Sequence, residues 1–118
     1  MPQEHRIPER FRPGIRDIVH QLVLGNYAGL VADDRAGAFT PELLQKALGQ
    51  YDLTLLELPD DVWEHPYASA FYSQRHNFWS IDVPLWTVEE GRSDFTLQLT
   101  AEETDAEPEL VIEELHVL

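Results

Sequence analysis

A chain of 118 residues, 43% of them apolar, makes a single domain that buries roughly two thirds of the surface its unfolded form exposes. It contains no cysteine, which excludes a disulfide framework, a thiol nucleophile and a cysteine-rich zinc site. The formal charge of −14 lies wholly in the second half: residues 1–51 hold six basic and six acidic side chains, whereas residues 52–118 hold sixteen acids against Arg75 and Arg92. Nucleic acid and anionic membrane are therefore not expected partners, because binding them needs clustered Lys and Arg. A basic protein is the natural complement, although acidity also serves solubility. No apolar run has the length of a signal peptide or a bilayer span, so a cytoplasmic address is expected.

In chain order, residues 1–13 carry Pro2, Pro8 and Pro13 among charged side chains and read as a mobile or loosely docked arm, with residues 14–118 as the domain proper. The arginines of this arm are expected to fold it onto the acidic half. From Ile15 to Leu24 the residues Ile15, Ile18, Val19, Leu22 and Val23 form one apolar stripe, which predicts a helix closed by Gly25. Asn26 caps a shorter helix from Tyr27 to about Ala32, with Tyr27, Leu30 and Val31 on one side. Thr40-Pro41-Glu42 is a helix start of cap, proline and first-turn acid; the helix runs to Leu48 and is expected to bury Leu43, Leu44, Ala47 and Leu48. Leu53–Leu58 reads as a strand, although its composition also suits a buried helix. Residues 59–77 sustain no period, and a connection this long is either functional or hides further elements.

The clearest pattern is a hairpin. Trp79, Ile81, Val83 and Leu85 alternate with Ser80, Asp82, Pro84 and Trp86, and Phe95, Leu97 and Leu99 alternate with Thr96, Gln98 and Thr100. Between the arms, Glu89-Glu90-Gly91-Arg92-Ser93 supplies a turn with a glycine suited to positive φ. In the last segment, 109–118, Leu110 and Ile112 alternate out of step with Leu115 and Val117; a β-bulge at Glu113-Glu114 would restore a single buried face. Helices followed by antiparallel strands predict an α+β domain, with N-terminal helices on one face of a curved antiparallel sheet of about four strands.

The run from Leu85 to Leu97, LWTVEEGRSDFTL, resembles the core of a family of small bacterial domains of unknown function, of the form LWTxEEGRSDLTL. Gly25-Asn26-Tyr27-Ala28-Gly29-Leu30 and the terminal His116-Val117-Leu118 resemble that family's flanking GDYxxL-like and HVL-like segments, with Asn26 in place of aspartate and Phe95 in place of leucine. The resemblance covers residues 15–118. A weaker resemblance, to cystatin-like domains of the nuclear-transport-factor-2 type, implies a pocket between helices and sheet, and an enzyme in some cases. Fold analogy supplies no chemistry, and none of that group's catalytic motifs can be placed here.

The five histidines (His5, His20, His65, His76, His116) lack any ligand spacing, so neither a metal nor another cofactor is expected; His20 and His116 read as partly buried structural residues. No serine sits in a nucleophile elbow, and there is no phosphate-binding glycine loop, so no catalytic residue is assigned. The turn is the more informative cluster: Trp86, Glu89, Glu90, Arg92 and Asp94 form a candidate binding surface, in which Arg92 reaching Glu89, Glu90 or Asp94 serves equally to fix the turn. Trp86 is expected on the outer sheet face, as an anchor for a partner or a second copy, or else beneath residues 1–13. Tyr67, Tyr72, His76 and Trp79, with Phe71 beside them and Asp82 as an acid or base, form a candidate pocket. The reading favoured by charge is an interaction module for a basic protein, in the manner of an immunity protein or antitoxin, with a homodimer through the sheet face as a further expectation. The alternative is a pocket-bearing ligand-binding domain or enzyme.

Overall fold

A computed structural model describes residues 4–50, 54–102 and 108–117. Three helices, α1 (Arg12–Leu24), α2 (Tyr27–Ala32) and α3 (Pro41–Gly49), precede most of the sheet. Its strands are β1 (Glu4–His5), β2 (Leu55–Leu56), β3 (Ser69–Ser73), β4 (Phe78–Thr87), β5 (Gly91–Glu102) and β6 (Leu110–Val117). Five of them lie in the order β1-β3-β4-β5-β6, all antiparallel, and β2 pairs separately with the far end of β4. The chain is thus an α+β domain with helices on one side of an open antiparallel sheet. Two short strands, β1 and β3, enlarge the expected set.

The alternation of β4 and β5 divides the sheet into unlike faces. Ile81, Val83, Leu85, Leu97 and Leu99 are fully buried, together with Ile15, Ile18 and Val19 of α1. Ser80, Asp82, Trp86, Gln98 and Thr100, on the other face, remain partly exposed. Pro84 can occupy a long inner strand because it falls between the β3 and β2 pairings, where the register also shifts between Pro84 and Trp86. Gly91, at φ +71°, closes the hairpin as its position in the turn predicts. The slip in β6 is a bulge: Gln98 faces Glu114 and Leu99 faces Ile112, leaving Glu113 unpaired. Leu110, Ile112 and Leu115 thereby share the inner face.

Helix α1 begins earlier than its apolar stripe, since Pro13 is tolerated in a first turn that needs no N–H there. Its end is closed by hydrogen bonds from Gly25 N–H to Leu22 O and from Asn26 N–H to Gln21 O. Asn26 Oδ1 accepts from Gly29 N–H and Thr40 Oγ1 accepts from Leu43 N–H, as their cap positions predict. In α3 only Leu44 is fully buried, whereas Leu43 is 48% exposed, because α3 packs on α2 and touches the sheet little. Leu55–Leu56 is all that forms a strand within the expected 53–58, of which Leu53 lies outside the described residues.

Residues 4–13 differ from a mobile arm. Glu4 and His5 pair with Phe71 and Ala70, and Ile7 and Phe11 are 0% and 1% exposed. A two-residue strand and two isolated apolar side chains carry no periodicity, yet together they cover the inner end of the sheet at Trp79. Of the arginines nearby, Arg10 lies over the Trp79 ring of β4 at 5.6 Å, whereas Arg6, Arg12 and Arg16 hold loop 58–64. Arg6 pairs with Glu64 at 2.7 Å, Arg16 donates to the carbonyls of Leu58 and Pro59 at 3.0 and 3.2 Å, and Arg12 and Arg16 both lie over the Trp63 ring. On the opposite edge, Ile112 N–H donates to Arg35 O at 2.8 Å, and the close approach there requires Gly37, at φ +59°. A Cβ on Gly37 would stand 2.4 Å from the Ile112 carbonyl oxygen.

Candidate functional site

The hairpin turn is built by hydrogen bonds that consume most of its charge. Glu89 accepts from Thr54 N–H at 2.6 Å and from Thr54 Oγ1 at 2.8 Å, which ties the approach to β2 onto the turn. Those two bonds, the backbone one foremost, hold the Glu89 carboxyl below its ordinary range. Glu90 N–H donates to Thr87 Oγ1, Ser93 Oγ donates to Glu90 Oε1 at 2.8 Å, and Phe95 N–H donates to Ser93 Oγ. Both glutamates are therefore committed to the turn. Arg92 does not reach them; it stands 4.0 Å from Asp94 and 4.9 Å over the Tyr67 ring.

Register places Trp86 directly opposite Arg92 on the outer face, and the His65 ring meets Trp86 edge-on at 5.7 Å. His65 in turn packs against Tyr67 at 5.4 Å. The result is a surface cluster of Tyr67, His65, Trp86 and Arg92, bordered by Leu56, which pairs with Trp86. Tyr67 is 52% exposed and Leu56 39%. Residues 4–13 do not cover Trp86; they cover Trp79, on the other face, through His5 and Phe11. The turn motif pointed to Trp86 and Arg92. Tyr67 was expected in the pocket and His65 at no site; both lie some twenty residues earlier and arrive through the loop that precedes β3.

Farther along the same face lie Asp82, Glu102 and Glu114, by their pairing with Gln98, Phe78 and Gln98 respectively. Asp94 is exposed beside the cluster. Arg92 is the one basic side chain of β4, β5 and β6.

The five residues of the expected pocket do not converge. Tyr72 and Trp79 touch at 5.1 Å on the inner face, where Tyr72 also donates to Asn77 Oδ1. Asp82, next to the inward-facing Ile81, is on the outer face, opposite Ser69, and so is Phe71, opposite Ser80. His76 sits in the β3–β4 turn against Phe78, and Tyr67 belongs to the cluster at the other end of β4. A strand sends consecutive side chains to opposite faces, so Trp79 and Asp82 cannot line one cavity. Among the described residues, cavities lie elsewhere. One, of about 290 Å³, is rimmed by Asp33, Asp34, Arg35 and Glu109; another, of about 340 Å³, lies between the helices and the inner sheet face.

His20 is exposed rather than partly buried, with Nδ1 2.7 Å from Glu57 Oε1. His116 is part-buried, and its Nδ1 has no hydrogen-bond partner among the described residues. Those residues contain no group of three or more His, Asp or Glu placed to hold a metal ion. They also contain no helix long and apolar enough to cross a membrane.

Helices stacked on one face of an open antiparallel sheet, with the hairpin and its aromatic cluster presented on the other, define the class of domain. The chain belongs to the family described as Domain of unknown function (DUF7668), whose model matches residues 19–118. That span includes the hairpin motif and the flanking segments on which the resemblance to such a family rests. No curated protein and no solved structure matches the chain.

Proposed function

We propose that this protein is a docking module that binds a basic protein segment across its outer sheet face, in the manner of an immunity protein or antitoxin. The observation that carries this reading is the outer-face cluster, in which Arg92 lies over Tyr67 and opposite Trp86, and His65 joins the two rings, beside Asp82, Asp94, Glu102 and Glu114. Trp, Tyr and Arg are the residue types that dominate measured binding energies when a partner dehydrates them. Surrounding carboxylates accelerate and orient the approach of a cationic partner. A second copy of the chain docking by this face would bring the same carboxylates against their like, which favours a basic partner over a homodimer. Nothing about the face suggests bond-making chemistry, since the turn carboxylates are engaged with Thr54 and Ser93.

A photo-crosslinking amino acid at position 67, compared with one at Leu24, which is 63% exposed on α1, tests this in the cell of origin. The expected adduct at position 67 is a basic protein whose reconstituted complex weakens as salt rises and is lost in Trp86→Ala. Adducts only with the protein itself, or none beyond those formed at position 24, would remove the proposal.

A further inference from the structure

We infer that the cavity between the helical layer and the inner sheet face is a binding site for a small, uncharged, mostly apolar molecule that carries one hydrogen-bonding oxygen. This site lies on the other side of the sheet from the docking face and does not depend on it. At about 340 Å³ it falls within the range of about 300–1,000 Å³ in which small-molecule sites lie. That is room for roughly a dozen waters, and so for one or two fused rings.

The origin of the cavity is visible in the packing. Helix α3 leans on α2 and sends only Leu44 fully into the core, while β2 contributes two residues, so the described residues leave a gap between these elements and the hairpin. Leu22, Leu48, Leu55 and Phe95 form its apolar wall. Apolar surface left facing water is unfavourable, and a molecule that covers it gains contacts that water does not supply.

The chemistry of the occupant follows from the rest of the lining. In a chain of net charge −14, none of the described residues that line this cavity carries a carboxylate or a basic group. An ion would lose hydration there without gaining a counter-charge, so the ligand is neutral. The polar side chains among the described lining residues are Tyr27, Gln45, Thr54 and Thr87, of which Thr54 Oγ1 is already committed to Glu89. Thr87 is 2% exposed; its oxygen accepts from Glu90 N–H at 3.1 Å, and its own proton has no acceptor among the described residues. A buried hydroxyl with an unused donor is uncommon, and a ligand carbonyl or hydroxyl oxygen completes it.

Three probes of one shape separate these terms: naphthalene, 1-naphthol and 1-naphthoate, followed by amide chemical shifts and titration calorimetry. The expected result is saturable one-to-one binding of 1-naphthol, with shifts at Leu48, Thr87 and Phe95, and 1-naphthoate weaker by about tenfold or more. Thr87→Val should weaken 1-naphthol about fivefold and leave naphthalene unchanged, as loss of one hydrogen bond predicts. Gly49 borders the cavity and a side chain there meets open space, so Gly49→Phe should fold and abolish binding of both neutral probes. Equal binding of the carboxylate, shifts centred on Trp86 and Tyr67, or no saturation by either neutral probe would overturn the assignment.

Discussion

Replacing Gly37 by alanine attacks the contact that covers the outermost long strand. Gly37 has φ +59°, and an added Cβ would lie 2.4 Å from the carbonyl oxygen of Ile112, a backbone atom that no rotamer change can move aside. An L-residue in the left-handed region costs about 1–2 kcal/mol. Relieving the clash means lifting the loop from β6, which breaks the 2.8 Å bond from Ile112 N–H to Arg35 O beside a fully buried side chain. Leaving such a donor unpaired costs about 1–3 kcal/mol, giving about 2–5 kcal/mol in total. Two controls separate the terms. Gly91 has φ +71° but nothing within 4 Å, so Gly91→Ala should show only the conformational cost of about 1–2 kcal/mol. Gly49 has neither positive φ nor a near neighbour, and Gly49→Ala should be neutral or stabilise α3 by up to about 1 kcal/mol. Urea unfolding followed by tryptophan fluorescence measures all three, and hydrogen exchange at the Ile112 amide should accelerate in Gly37→Ala alone. Loss in Gly37→Ala within about 0.5 kcal/mol of that in Gly91→Ala would refute the reasoning, since the contact with β6 would then contribute nothing beyond backbone strain.

Arg16→Ala removes both bonds to the Leu58 and Pro59 carbonyls and one of the two guanidinium groups over Trp63, and should cost about 1–3 kcal/mol; Arg16→Lys, which cannot fork, should recover only part of it, as read from urea midpoints. Glu89 and Asp17 have folded pKa values below their ordinary 4.5 and 3.8, through Thr54 and Arg35 respectively, so each adds stability that is full above its ordinary value and is lost as pH falls through the depressed one. Urea midpoints between pH 2 and 6 should therefore fall with acid less steeply in a Glu89→Gln, Asp17→Asn double variant than in the parent; parallel curves would contradict this. Arg92→Ala should lower stability by no more than about 1 kcal/mol, the worth of an exposed cation over an aromatic ring, because the turn is held by Glu89, Glu90 and Ser93 without it. A larger loss in thermal or urea unfolding would mean that Arg92 fixes the turn after all.

The candidate site was legible in proportion to how local it is. Trp86 and Arg92 belong to one hairpin, and register brings them face to face whatever the rest of the chain does. Glu89 and Glu90 lie in the same turn, but what binds them was not legible, because Thr54 reaches Glu89 from thirty-five residues away. The grouping of Tyr67, Tyr72, His76, Trp79 and Asp82 failed for a related reason. Without a recognised strand at Ser69–Ser73, nothing assigned Tyr72 to a face, while the alternation of the hairpin already set Trp79 and Asp82 on opposite sides.

Sequence alone determined the elements whose signals are periodic or chemical: the stripe of α1, the caps Asn26 and Thr40, the two-faced hairpin and the bulge at Glu113. Each depends on residues within a few positions of one another, where backbone geometry repeats every two or 3.6 residues. Only the tertiary structure decided that Ile7 and Phe11 belong to the core, that Trp63 lies beneath two arginines, and that α3 stands away from the sheet and leaves a cavity. Those outcomes depend on which distant surfaces meet, and burial gains free energy from area removed from water whatever its order in the chain.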